Sequence, residues 1–257
     1  VNLFVLAGPG KRHRLFFTTP LISLLGAAVL TVVIFVQDGT GGTGARLVHA
    51  EFFPDLKRVV VTQEQASRTG LLLDGSFQAP ASSWITASFD TSVSSLNLRH
   101  ALDEGVVFSG DWFKSRSEQK MLVLASQPTR GGMELIAAPA GGAPQILSSI
   151  DMDLDTVLVR DAEGKEWRAD RVSPGQRVVL HPAGKEAVGR FREQWLEKWS
   201  PGTVLKDRLN MTDEGPPRFV AVGRDAGELA LDTLPSISWQ SASVWLTGVL
   251  TQKEGVK

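Results

Sequence analysis

TVLVRDAEGKEWRADR, residues 156–171, decides how most of this chain folds. Thr156–Arg160 is a β-branched and aliphatic run, and Glu166–Arg171 is a second candidate strand. Asp161-Ala162-Glu163-Gly164 between them has the turn chemistry of a hairpin. Outward from this hairpin, short β-branched runs separated by turn residues recur along the chain. Before it come Arg46–Phe53, Arg58–Gln63, Trp84–Phe89, Val106–Trp112, Met121–Ala125 and Met133–Ala137. After it come Gln176–His181, Arg218–Val222, Glu228–Leu231 and Ser243–Leu250. Strands at this spacing, with little helical periodicity, predict an antiparallel sandwich or barrel. Lys185–Trp199 (KEAVGRFREQWLEKW) breaks the rule. Its Val188, Phe191, Trp195 and Trp199 fall near one helical face, and Ser200-Pro201-Gly202 stops the helix. Such a stripe must be buried, most simply against the flank of the β domain.

The amino-terminal part is of another kind. LFFTTPLISLLGAAVLTVVIFV (Leu15–Val36) contains 22 residues and no charge. At about 1.5 Å per residue, a helix of that length crosses the ~30 Å hydrocarbon core. Pro20 sits in its first turns, where a missing amide donor costs least. The apolar core is too long for a cleaved signal peptide, and QDGTGG after it offers only the poor Thr43-Gly44-Ala45 site. Lys11, Arg12 and Arg14 precede the helix, and Gln37 and Asp38 follow it. The positive-inside rule therefore places the amino terminus in the cytoplasm and the remainder outside. The expected organisation is a cytoplasmic basic segment (1–14), a transmembrane helix (15–37), a flexible Gly-rich tether (38–44) and an extracytoplasmic β domain (45–182). Residues 183–257 supply the amphipathic helix and carboxy-terminal strands, packed on that domain. The expected fold is thus mainly β: one N-terminal transmembrane helix, then an antiparallel β-sandwich or barrel-like domain with one amphipathic helix.

Composition excludes several functions. With 27 basic and 28 acidic side chains, the chain lacks the basic surface that nucleic acid demands. With neither cysteine nor tyrosine, it has no thiolate metal site, cysteine nucleophile or phenolic acid/base. Gly39, Gly41 and Gly44 satisfy G-x-G-x-x-G, but a membrane helix precedes them and a strand follows, the wrong setting for a dinucleotide fingerprint. Ser117-Glu118-Gln119-Lys120 matches S-x-x-K, and Ser95-Leu96-Asn97 could stand for S-x-N. The order is reversed from that of penicillin-recognising enzymes, and K-T-G is missing. Asp151, Asp153 and Asp155 alternate in DMDLD, which would put three carboxylates on one strand face as a surface cation site. Thr156 and Ala162 break the EF-hand pattern. The four histidines lack metal-ligand spacing, and no cofactor is expected. Asn210-Met211-Thr212 is a glycosylation sequon, relevant only in a secretory eukaryotic cell.

The layout has a family likeness. VNLF (1–4), KRHR (11–14), the helix opening LFFTTPL, the glycine run, SGDWFKSR (Ser109–Arg116), RFVAVG and VWLTGVL succeed one another. In this it resembles the carboxy-terminal portion of uncharacterised bacterial multi-span membrane proteins. In those proteins a glutamine-amidotransferase-like module often precedes a Gly-Pro-[Leu/Val]-Asn segment and a further spanning helix. The resemblance implies that Val1-Asn2 is the second half of that segment and that the chain is part of a longer protein. It transfers no catalytic residue, because the module lies outside this chain. The function expected is that of a membrane-anchored, non-catalytic protein of the bacterial inner membrane. Its partners would be the lipid bilayer and other envelope proteins, which its periplasmic β domain binds or scaffolds. The alternatives are an envelope hydrolase using Ser117 and Lys120, or a small-molecule or glycan-binding domain using exposed tryptophans such as Trp84 or Trp112.

Overall fold

A computed structural model describes residues 15–88, 97–102, 105–137, 142–210 and 217–253. Helix α1 (Leu15–Asp38) opens the described chain, and none of its span Phe16–Gln37 is buried. With a mean hydropathy of 2.4, it is long and apolar enough to cross a membrane. Lys11, Arg12 and Arg14 lie outside the described residues.

The rest of the described chain is mainly β, as expected. Strand β1 (Gly42–Phe53) and β2 (Arg58–Thr69) form a long hairpin closed by a 3-10 turn at Pro54–Leu56, with Lys57 in the left-handed region. Seven shorter strands follow: β3 (Phe77–Ala79), β4 (Ser83–Ser88), β5 (Leu98–Leu102), β6 (Val106–Gly110), β7 (Glu118–Pro128), β8 (Met133–Ile136) and β9 (Gln145–Ser148). The hairpin read first from the sequence is β10 (Leu154–Arg160) and β11 (Glu166–Val172), with the Asp161 carboxylate accepting the Glu163 and Lys165 amides. Then come β12 (Arg177–Val179), β13 (His181–Pro182), α2 (Ala187–Trp199), α3 (Thr203–Asn210), β14 (Arg218–Gly223), β15 (Ile237–Val249) and β16 (Thr251–Lys253).

A nine-stranded sheet, ordered β13-β11-β10-β14-β15-β1-β2-β7-β4, organises the domain. Its neighbours are antiparallel except β1 and β15, which run parallel near the centre. Side chains alternate between its faces, so each face has its own covering. One face packs against a four-stranded sheet, β12-β9-β8-β16. There Val48, Ala50 and Phe52 of β1, Val59 and Val61 of β2 and Leu246 of β15 meet Met133, Leu135 and Ile146. Further along, Ile85, Met121 and Val123 meet Phe77 and Phe108 of the three-stranded sheet β3-β6-β5. Sheet on sheet makes this a sandwich.

Between these two cores the inward positions of β2 turn polar. Gln63 donates to the Leu231 carbonyl and accepts its amide, while Gln65 donates to Thr233 Oγ1 at 2.7 Å. Buried amides need such partners, and the loop before β15 supplies them. Glu228–Leu231 is therefore not the strand its sequence predicts; Gly227–Leu229 makes a 3-10 turn instead.

The opposite face carries the helices. Val188 and Trp195 of α2 and Leu205 and Leu209 of α3 bury against Leu158, Val220 and Trp245. The stripe expected on the amphipathic helix is thus core packing. Glu64 of β2 caps α3, accepting the amides of Gly202 and Leu205. His49, beneath the helices, is 1% exposed, with Nε2 3.0 Å from Thr247 Oγ1. Burial, aided by the Arg208 charge, lowers its pKa to about 4.

One further expectation changes. The glycine run is not a loose tether: β1 begins at Gly42, and the chain before it is hydrogen-bonded. A Cβ on Gly41, whose φ is +86°, would run into the Ser236 carbonyl, and one on Gly44 would lie 2.6 Å from the Trp239 ring. Glycine serves here for close approach. Residues 183–257 contribute β14 and β15 to the large sheet, between β10 and β1. The sequence does not predict β3, β5, β9, β16 or α3.

Candidate functional site

The residues singled out in the sequence do not converge. Ser117 Oγ donates to the Lys114 carbonyl at 3.0 Å and accepts from the Gln119 amide, so its proton faces a carbonyl rather than a base. Lys120 follows Gln119 on β7, between Ala66 and Ser88, and alternation turns it to the other face of the strand. A nucleophile and base must be within hydrogen-bond reach, and this pair is arranged otherwise.

The three aspartates do not share a strand face either. Asp151 and Asp153 precede β10, which begins at Leu154. Asp153 accepts from Ser173 Oγ at 2.6 Å, and Asp155 pairs with Arg224 Nε at 2.8 Å. Among the described residues no three His, Cys, Asp or Glu side chains are placed to hold a metal ion. Trp112 is buried, its indole donating to the Arg99 carbonyl at 3.1 Å, so it offers no stacking surface. Trp84 is 58% exposed.

Among the described residues, two features of the domain are suited to meet a soluble partner or ligand. The first is the outer edge of β4, the last strand of the large sheet. Ser83-Trp84-Ile85-Thr86-Ala87-Ser88 has neither charge nor proline, and Ile85 points into the core. Among the described residues no strand pairs with its outer side. The opposite edge is blunted: β13 has two residues, one of them Pro182. On the helix-bearing side of the sheet, Trp84 stands beside its cross-strand neighbour Leu124. Residue composition identified Trp84; only the strand order shows that it lies on an open edge.

The second feature is an open cleft of about 660 Å³ between α2 and the strands β14 and β15. Phe191, Trp195 and Trp199 form an aromatic wall, facing Gln240, Ser243 and the Asp155–Arg224 pair. Flat aromatic surface opposite hydrogen-bonding groups suits a small polar ligand with an apolar face. The helical stripe pointed to the aromatic wall, but nothing local marks Gln240 or Arg224.

No protein-family model matches the chain, and no curated protein matches it. Among solved structures it is similar to the mu-homology domain of yeast delta-COP-I, solved in complex with a Dsl1 WxWxV peptide. That similarity has 10% identity and a TM-score of 0.28, over 80% of this chain and 95% of that one. A likeness of this degree assigns nothing to the chain.

Proposed function

We propose that this chain is a membrane-anchored, non-catalytic protein of the bacterial envelope whose periplasmic domain binds another envelope protein by strand addition to β4. The observation that carries the reading is an uncharged, proline-free edge strand bearing an exposed tryptophan. An extended segment adding there gains main-chain hydrogen bonds, and Trp84 gives it a side chain to recognise. The arrangement of Ser117 and Lys120 supports a binding role over hydrolysis.

A photo-crosslinking side chain at position 84 of the full chain is expected to give a discrete protein adduct in cells. Thr86→Lys, which places a charge on the same edge, should remove that adduct while leaving folding stability within about 0.5 kcal/mol of the parent, as for a surface change. An adduct that survives Thr86→Lys counts against strand addition. The aromatic cleft supports a second reading, a site for a small molecule or glycan. Crosslinking confined to position 199 would favour it.

On the same reading the amino terminus is cytoplasmic. A reporter active only outside the cytoplasm, fused to the carboxy terminus, should be active, and silence would overturn the orientation. Neutralising Lys11, Arg12 and Arg14 together should scramble it.

A further inference from the structure

The exit of α1 is tied to a neighbouring loop by a short ladder. The Gly39 amide closes the helix on the Phe35 carbonyl at 3.1 Å. The Leu71 amide donates to the Gly39 carbonyl, and the Gly41 amide to the Leu71 carbonyl, each at 3.1 Å. The Gly70 amide donates to the Gly41 carbonyl at 2.7 Å, so Thr40 and Leu71 run side by side in a parallel bridge. On the other side the Gly42 amide donates to the Ser236 carbonyl at 3.0 Å. Helix exit, loop and sheet end are therefore joined.

Beyond Leu71 the loop reads Leu72-Leu73-Asp74-Gly75-Ser76. Leu72 turns inward, packing on the Phe77–Phe108 core, and its amide donates to Ser115 Oγ at 2.9 Å. Asp74 accepts from the Ser76 amide and hydroxyl, both at 2.8 Å, which holds the turn. Leu73 between them is 86% exposed, against 81% for Phe16 of α1. A lone exposed leucine is ordinary on a protein surface, so the case for a contact rests on where this loop lies.

The position of the loop identifies that contact. The 22 residues Phe16–Gln37 rise about 33 Å, enough for the ~30 Å hydrocarbon core, so Asp38 and Gly39 come at the headgroup layer. Leu73 is two residues beyond Leu71, hence within about 7 Å of the ladder. The headgroup region is itself about 5–7 Å deep on each side. We propose that Leu73 is a second membrane contact, inserting into the interfacial layer of the leaflet through which α1 emerges. The domain then stands on the bilayer at two joined points and does not swing on a tether. The inference rests on α1 spanning the membrane.

The chain lacks cysteine, so single-cysteine labelling tests it directly. Leu73→Cys, Leu56→Cys and Val29→Cys of the full chain are each labelled with a fluorophore and reconstituted into phosphatidylcholine vesicles. Brominated lipids then serve as quenchers. Leu56 is the control, exposed on the turn at the far end of the β1–β2 hairpin. The label at 73 is expected to lose most of its emission to lipids brominated near the headgroup, and the label at 56 to lose none. Equal, negligible quenching at 73 and 56, with Val29 quenched by deep bromines, overturns the Leu73 contact and leaves the spanning helix standing. A Val29 label that deep bromines do not quench overturns the helix reading, and the proposal with it.

Discussion

Trp195→Ala is expected to lower the stability of the full chain in detergent by about 3–5 kcal/mol, the range for emptying a buried large aromatic site. Trp195 is 5% exposed, its ring lies 5.4 Å from that of Trp245, and its indole donates to Ser243 Oγ at 3.0 Å. Truncation removes the ring that seals α2 to the sheet and leaves a buried hydroxyl without its donor. Trp195→Phe separates the two losses. It keeps a ring against Trp245 and forfeits the hydrogen bond, so it should cost about 1–3 kcal/mol. Urea unfolding followed by far-ultraviolet circular dichroism measures both. An unchanged midpoint for the alanine variant would mean that the stripe of α2 is not what holds the helix down.

Acidification should destabilise the domain through His49. In the folded chain its pKa is about 4, against 6.5 for the unperturbed side chain. Between those values the unfolded chain binds a proton that the folded chain does not, so stability rises with pH there. The contribution is complete above pH 6.5 and is lost as pH falls, at about 1.4 kcal/mol per unit. From pH 6.5 to pH 5 the loss is about 2 kcal/mol, before most carboxylates titrate. His49→Gln can still hydrogen-bond Thr247 but cannot take up a proton, so its urea midpoint should be much flatter across that interval. Parallel decline of parent and variant would remove His49 as the cause.

Local chemistry was legible where each segment carries its own instruction. The β10–β11 hairpin needs only its alternation and an Asp-to-Gly turn, and the residues proposed for it form it. The membrane-length helix needs only length and absence of charge. The α2 stripe announced its packing because apolar residues recurring on one helical face favour contact with the domain over water. By contrast, the sequence marks β2 only to Gln63, because its inward positions continue as Gln65, Ser67 and Thr69, buried polar side chains that hide the period of the strand. Gln63 and Gln65 are satisfied by Leu231 and Thr233, 168 residues away, and no local rule could supply those partners.

Placement in the sheet was decided at the tertiary level for the same reason. Trp84 and Trp112 look alike as isolated tryptophans. One lies on the last strand of the large sheet, and the other is sealed under Phe77 and Phe108. The glycine run reads as a tether because glycine is flexible when nothing is near it. Here Ser236 and Trp239 crowd against it and β15 pairs with it in parallel, so the same residues become a strand. A membrane-length helix, a β-rich domain and an amphipathic helix that must be buried were legible from the residues alone, since length, alternation and periodicity are properties of neighbouring residues. Which edge stays open, which tryptophans stay exposed and how firmly helix α1 is joined to the domain were decided only by contacts between residues far apart in the chain.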